Sequence, residues 1–259
     1  MAERLFASKN FFDAITEYKR FLFFNKESTN SWYVKYKIGQ AYRNLKDWDR
    51  ALYYMRAAEV ASPDEKSRVT VEIGLAVILM AQKNYAGAEF QLLRLASFTG
   101  TEETRGIVAL YQGVLSILTF KWHEAEKALR IYFESNPGIN SVNDKQMILA
   151  LLEEGKSLNL KSPKTARILS LFFPGAGQLY AGKPLLALNA LIINGLSLAL
   201  FGFTIITANY PEAVLSFLYL INKYYPGNIY QAGRIVEERN LNIEEHLSNR
   251  VLDILKEYR

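Results

Sequence analysis

Gly39-Gln40-Ala41-Tyr42-Arg43-Asn44-Leu45-Lys46-Asp47-Trp48-Asp49-Arg50-Ala51-Leu52-Tyr53-Tyr54-Met55-Arg56-Ala57-Ala58-Glu59-Val60-Ala61-Ser62-Pro63 decides the fold, because it repeats. Its alanine at 51 recurs as Ala14, Ala88 and Ala125, so the series advances by 37 residues without an insertion. Three residues before each alanine stands an aromatic, Phe11, Trp48, Tyr85 or Trp122. Twelve before it stands a small residue, Ala2, Gly39, Ala76 or Gly113. A fixed period of this length is the signature of stacked supersecondary units. Within the unit, Ile38, Tyr42 and Leu45 fall at i, i+4 and i+7, and Leu52, Met55 and Ala58 follow similar spacing, so the unit is a pair of helices. Small residues facing each other let antiparallel helices approach closely while the aromatic fills the space beside them. Pro63 ends the pair.

Outward from that stretch, the 259 residues are half apolar and include 16 Tyr, 15 Phe and 3 Trp, which excludes a chain that stays disordered for want of apolar surface. The net charge of +5 is too mild to indicate nucleic acid. With no cysteine there is no disulfide, thiolate metal site or thiol nucleophile, and His123 and His246 stand without partners at ligand spacing, so no metal or other cofactor is expected. No nucleophile or acid–base pair assembles: Ser162 and Lys164 belong to a basic linker, and Glu153-Glu154 and Glu237-Glu238 are adjacent rather than facing. The chain is read as a non-enzyme.

The order of small residue, aromatic, turn, aromatic, alanine, large apolar residue and proline, here Gly39, Tyr42, Trp48, Ala51, Met55, Ala58 and Pro63, resembles the tetratricopeptide repeat. The fold class expected is therefore all-α, a tetratricopeptide-like solenoid over residues 1–160 with about four helix pairs and a closing helix around 144–158. The period of 37 rather than 34 residues and the missing proline after the third pair depart from the family. Counting back from Ala14 leaves only residues 2–8 for a helix that is longer in the other pairs, so the first pair is read as incomplete. The segment Ala14-Ile15-Thr16-Glu17-Tyr18-Lys19-Arg20-Phe21 also resembles exported bacterial repeat proteins.

The resemblance implies a concave groove lined by the first helix of each pair. Carried over by register, its residues are Tyr33, Tyr36, Gln40, Arg43 and Asn44, then Ile73, Val77 and Met80, then Leu110, Val114 and Ile117. One end is polar and aromatic, the other apolar and suited to an amphipathic helix. Tyr36 and Gln40 do not match the family's carboxylate clamp. In the tail, Ile243, Leu247, Val251, Ile254, Leu255 and Tyr258 mark one helical face, with Asn242 as a helix start, so residues 241–259 are expected to form an amphipathic helix able to cover the groove.

The repeat phase is lost at Ser162, and the composition changes. Residues 184–211 carry no charge, and 185–208 are long enough as a helix to cross a bilayer. Shorter apolar stretches at 168–173 and 213–221 flank it, and each runs into a matching element: aromatic pair, Pro-Gly, Tyr, Ala-Gly, then a base. Both are read as bends. The first, with Pro174, Gly175, Gly177, Gln178, Tyr180 and Gly182, resembles the signature of bacterial two-transmembrane hairpin domains. The second, with Pro226, Gly227 and Tyr230, resembles a Gly-Asn-Ile-Tyr segment of related repeat-bearing membrane proteins. Residues 165–240 are thus expected to be a membrane-associated helical hairpin.

The function expected is a membrane-anchored adaptor or scaffold that binds a protein or peptide in the groove, alternatively a structural subunit of a bacterial envelope complex whose groove is covered by its own tail. The partners expected are a protein or peptide, itself membrane-associated, and the lipid bilayer, with no nucleic acid. Lys156, Lys161, Lys164, Arg167 and Lys183 before the long helix and Lys223, Arg234 and Arg239 after it favour cytoplasmic ends. The resemblance to exported proteins places the repeats on the periplasmic side instead, and the sequence reading leans to that side.

Overall fold

A computed structural model describes residues 1–26, 28–98, 100–136 and 142–256. Among these the secondary structure is helical throughout, with no strand, and the chain divides into two compact units, residues 1–156 with 250–259, and residues 157–249.

The first unit contains the repeats. Helices α1 (Ala2–Ala7) and α2 (Phe11–Phe24), α3 (Ser31–Asn44) and α4 (Trp48–Ala61), α5 (Glu65–Ala81) and α6 (Tyr85–Phe98), and α7 (Glu102–Leu118) and α8 (Trp122–Ser135) pack as consecutive pairs, closed by α9 (Val142–Lys156). Each repeat aromatic is the first residue of the second helix of its pair. The small residues at the repeat position receive a large side chain from that helix: a Cβ on Gly39 would lie 3.0 Å from Met55 Cγ, and one on Gly113 2.8 Å from Leu129 Cδ2. Ala76 and Leu92 share a core cluster in the equivalent places. Met55, Leu92 and Leu129 are almost fully buried, each worth about 1.5–3 kcal/mol over exposure. The closing helix uses the same device, with Gly155 against the Trp122 ring. Lys156 and Arg130 both reach Glu126, at 2.8 and 2.9 Å, and hold its carboxyl below the usual range, which ties α9 to α8.

Caps mark the pairs. Asn10, Asp47 and Asn84 accept from the backbone N–H three residues on, and Asp64 and Ser67 form a reciprocal box at the start of α5. Buried Glu72 is matched by Arg68 at 3.0 Å and Arg94 at 3.2 Å, so its charge is not left alone inside α5 and α6.

The second unit holds α10 (Pro163–Phe172), α11 (Ala176–Tyr180), the long α12 (Pro184–Ile206), α13 (Tyr210–Ser216), a π-helical turn (Phe217–Ile221) and most of α14 (Asn222–Lys256). Two sequence expectations are corrected here. Pro226 and Gly227 lie inside α14 and do not end it: the wide turn at 217–221 precedes them, and proline's missing donor costs the helix a bond without stopping it. Nor does a separate tail helix begin at Asn242, because α14 is already helical for twenty residues by then; residues 250–256 are its last turns and belong to the first unit. Tyr258 lies outside the described residues.

Candidate functional site

Contacts run from α3 to α5 and from α5 to α7, so the first helices of successive pairs form one continuous wall. On α3 the polar residues read from sequence come together as a ladder. Gln40 Nε2 donates to the Tyr36 hydroxyl at 2.7 Å, and Asn44 Nδ2 donates to the Gln40 carbonyl at 2.9 Å. The Tyr36 ring also leans on α5, where a Cβ on Gly74 would meet its Cε2 at 3.0 Å. Tyr33 is exposed one turn earlier, with Lys37 Nζ 5.4 Å from its ring centre. Arg43 is half-buried in the last turn.

The apolar end is a cavity of about 230 Å³ bounded by Val77 and Met80 of α5, by Leu110, Tyr111, Val114 and Leu118 of α7, and by Leu252, Leu255 and Lys256 of α14. The tail therefore occupies this end of the groove. Leu255 is buried there, Val251 one turn earlier is fully buried, and Arg250 reaches Glu154 of α9 at 3.4 Å. Ile117 departs from the expected row: it is fully buried, and Leu118 stands in the wall in its place. With Tyr111 in the wall as well, its centre on α7 lies to the side of Leu110 and Val114 that Leu118 shares, and Ile117 on the other side turns into the core. Ile73 is buried with Val69, Leu95 and Val108 rather than lining this cavity. Tyr111 and Leu252 were not among the residues read from sequence; their signal was only adjacency to Leu110 and Val251 on apolar helical faces.

In the second unit the hairpin motif explains itself. Gly175 is left-handed at φ 92°, and a Cβ there would stand 2.4 Å from the Ala187 carbonyl oxygen. Gly177 lets α11 touch both its neighbours, since a Cβ would fall 2.2 Å from the Ala166 carbonyl oxygen and 2.7 Å from Ala232 Cβ. Its N–H donates to Ser170 Oγ at 3.0 Å, and that hydroxyl donates to Gln178 Oε1 at 3.1 Å. Gln178 Nε2 then donates to Asn228 Oδ1 at 2.7 Å. Gln178, Ser170 and Asn228 are all buried, so the two sequence elements meet through a closed polar network. The Ser162 N–H donates to the Tyr180 hydroxyl at 3.2 Å, and Asn240 clamps both main-chain groups of Lys161. Pro226, Gly227 and Tyr230 are exposed on α14 and take no part. Asn228 between them does; it stood in the Gly-Asn-Ile-Tyr segment without being singled out.

The long helix α12 is inverted relative to a soluble helix. Asn194, Ser197 and Thr204 are buried, whereas Leu185, Leu196, Phe203 and Ile206 are 63–81% and 85% exposed. Only 11% of its most apolar window is buried, although a helix of 23 residues in a soluble core would be mostly covered. It packs on α13 and the π-helical turn, with Phe201 and Phe217 ring centres 6.0 Å apart.

Among the described residues no group of His, Asp or Glu is placed to hold a metal ion. Compared with known families and with curated proteins, the sequence matches none. Among solved structures, the crystal structure of the apo form of RapI is similar with a TM-score of 0.50 at 17% identity, over 92% of this chain and 74% of that one. At that identity the likeness concerns the fold, and it agrees with a helical-repeat architecture.

Proposed function

We propose that this chain is a membrane-anchored adaptor: the repeats bind a helical segment of a protein partner, and the hairpin of α12 with its return arm holds them at a bilayer. The observation that carries the binding half is the occupant of the groove. Leu252 and Leu255, one turn apart on an amphipathic helix, sit against Val77, Met80, Leu110 and Val114, so the wall accommodates an aliphatic helix face. The ladder of Tyr36, Gln40 and Asn44 gives α3 of the same wall a polar surface.

The anchoring half is supported by the inverted burial of α12. At ~1.5 Å per residue its 23 residues match the ~30 Å hydrocarbon core. Small and polar side chains at a helix–helix seam with large aliphatic ones outward suit lipid rather than water as the surrounding solvent. The return arm is longer than the sequence suggested, because between Glu212 and Arg234 the only charge is Lys223 and the backbone stays helical. With two full-length arms the charge rule applies to the hairpin, and its basic end belongs on the cytoplasmic side rather than the periplasmic one.

Affinity capture from detergent-solubilised membranes tests the adaptor reading with three forms: wild type, Met80→Glu, and Leu252→Glu with Leu255→Glu. Displacing the tail should increase capture of the same partners that Met80→Glu abolishes. A single stoichiometric membrane partner retained by all three forms would instead favour the second reading, a structural subunit whose groove is permanently filled by its own tail, which the occupied cavity also suits.

A further inference from the structure

Helix α10 is ten residues long, too short at ~15 Å to cross a bilayer, yet it presents an uncovered apolar edge. Leu171 is 50% exposed, Phe172 69% and Phe173 71%, and Leu179 of α11 is 61% exposed beside them. The network of Ser170, Gln178 and Asn228 fastens α10 and α11 to the start of the return arm's long helix, so this edge is a fixed part of the hairpin's base.

Charge at the base is one-sided. Between residues 161 and 240, outside the apolar arms, stand Lys161, Lys164, Arg167, Lys183, Arg234 and Arg239 against Glu237 and Glu238. Both carboxylates are already matched, Glu237 by Arg167 at 2.6 Å and Glu238 by Arg234 at 2.8 Å. Lys164 and Lys183 are exposed and have no carboxylate within ion-pair distance among the described residues. Lys164 lies in the first turn of α10 and Lys183 immediately precedes α12, where the uncharged run begins.

We propose that the base of the hairpin is an anionic-lipid site: Leu171, Phe172, Phe173 and Leu179 enter the boundary between acyl chains and headgroups, and Lys164 and Lys183 bind headgroup phosphates. An apolar edge rimmed by unmatched cations is complementary to the surface of an anionic leaflet, whose potential attracts basic residues near it. Long lysine stems let the ammonium reach the headgroup plane from a helix lying beneath it. Leu185 in the first turn of α12 is exposed as well, and the site rests on the reading of that helix as membrane-embedded.

The test uses the full chain, purified in a mild detergent and offered equal phosphatidylglycerol and phosphatidylcholine, with retained lipid read by native mass spectrometry. Wild type should retain phosphatidylglycerol on the order of tenfold over phosphatidylcholine, and Lys164→Gln with Lys183→Gln should remove most of that preference. The same double change at the repeat lysines Lys46 and Lys83 should leave it intact. Equal retention of the two lipids by wild type overturns the site. So does a loss of preference as large in the Lys46 and Lys83 variant, which would make net charge the cause. Stabilisation of the delipidated protein by inorganic phosphate to the same degree as by the lipid would also overturn it, in favour of a soluble anion. Release of the protein from native membranes by alkaline carbonate would sink the membrane reading itself, whatever the lipid preference in detergent.

Discussion

Lys9, Lys46, Lys83 and Phe120 hold φ of 61°, 59°, 59° and 59°, each 37 residues after the one before, in a conformation that an L side chain enters at a cost. The cost is accepted because the turn closes through it. The next residue in each case donates its N–H back to the carbonyl five residues earlier, as Asp47 does to Tyr42 at 3.0 Å and Asn84 to Leu79 at 2.9 Å, and then begins the following helix. Glycine would adopt this conformation freely, so Lys46→Gly should raise the stability of the repeats by about 0.5–1 kcal/mol. All three tryptophans, Trp32, Trp48 and Trp122, lie in the repeat unit, so urea unfolding followed by tryptophan fluorescence checks this unit alone. A midpoint lower than wild type would mean that Lys46 contributes contacts outweighing its backbone strain. Of this turn the sequence showed the aromatic and the alanine but not the strained position, since lysine and phenylalanine carry none of the signal that glycine would. Ile117 was misplaced because the row was drawn through Leu110 and Val114 without Tyr111, which moves the centre of the wall toward Leu118 and leaves 117 to the core.

At the scale of elements, the two Pro-Gly segments look alike as strings and differ as structures. Gly175 must be left-handed and has a carbonyl where its Cβ would go, whereas a Cβ on Gly227 would meet nothing within 4 Å. Composition alone does not distinguish them; the difference arises because the first segment has to turn α10 into α11, while the second follows a π-helical turn and runs on. What the residues did reveal was that both belong to one assembly, and the link is Gln178 to Asn228. Asn228→Ala should therefore remove the shorter of the two bonds made by buried Gln178 Nε2, leaving it only the 3.3 Å bond to the main-chain carbonyl of residue 228, and cost about 1 kcal/mol. Gly227→Ala should be neutral or stabilising by up to ~1 kcal/mol, as expected for an exposed helix interior. Thermal unfolding of both variants in detergent, followed by circular dichroism, checks the pair. Destabilisation by Gly227→Ala comparable to that of Asn228→Ala would show that Gly227 is not an ordinary exposed helix position.

For the whole molecule, the informative fact is that residues 250–259 group with residues 1–156 while residues 157–249 form a unit of their own. If α12 crosses a bilayer as proposed, a single crossing would strand the tail on the far side from the repeats, whereas a hairpin would return it. Part of this relation was legible in the sequence: the loss of the 37-residue phase at Ser162 marked the end of the repeats, and the apolar face of Leu247, Val251 and Leu255 marked the tail as a cover for their groove, but nothing marked the arm that brings it back. On the proposed anchoring the rest follows from the return arm, whose helix passes through Lys223 and Pro226, two residues that taken alone argue against a span. Lysine can extend its ammonium along the helix toward the headgroups, and proline within a membrane helix is tolerated when neighbours compensate for the lost bond. Because the chain has no cysteine, single cysteines report topology without background. Val60→Cys in the repeats, Tyr210→Cys at the hairpin tip and Asp253→Cys in the tail all replace exposed side chains. A membrane-impermeant maleimide should label the first and third from the same face of native vesicles and Tyr210→Cys from the opposite face. For the proposed hairpin the positive-inside rule predicts a cytoplasmic shared face, since the tip carries Glu212 and no cation while the cations gather at the base. Labelling of all three from one face would make the hairpin re-entrant, and labelling of Val60→Cys and Asp253→Cys from opposite faces would leave the tail unable to occupy its own groove.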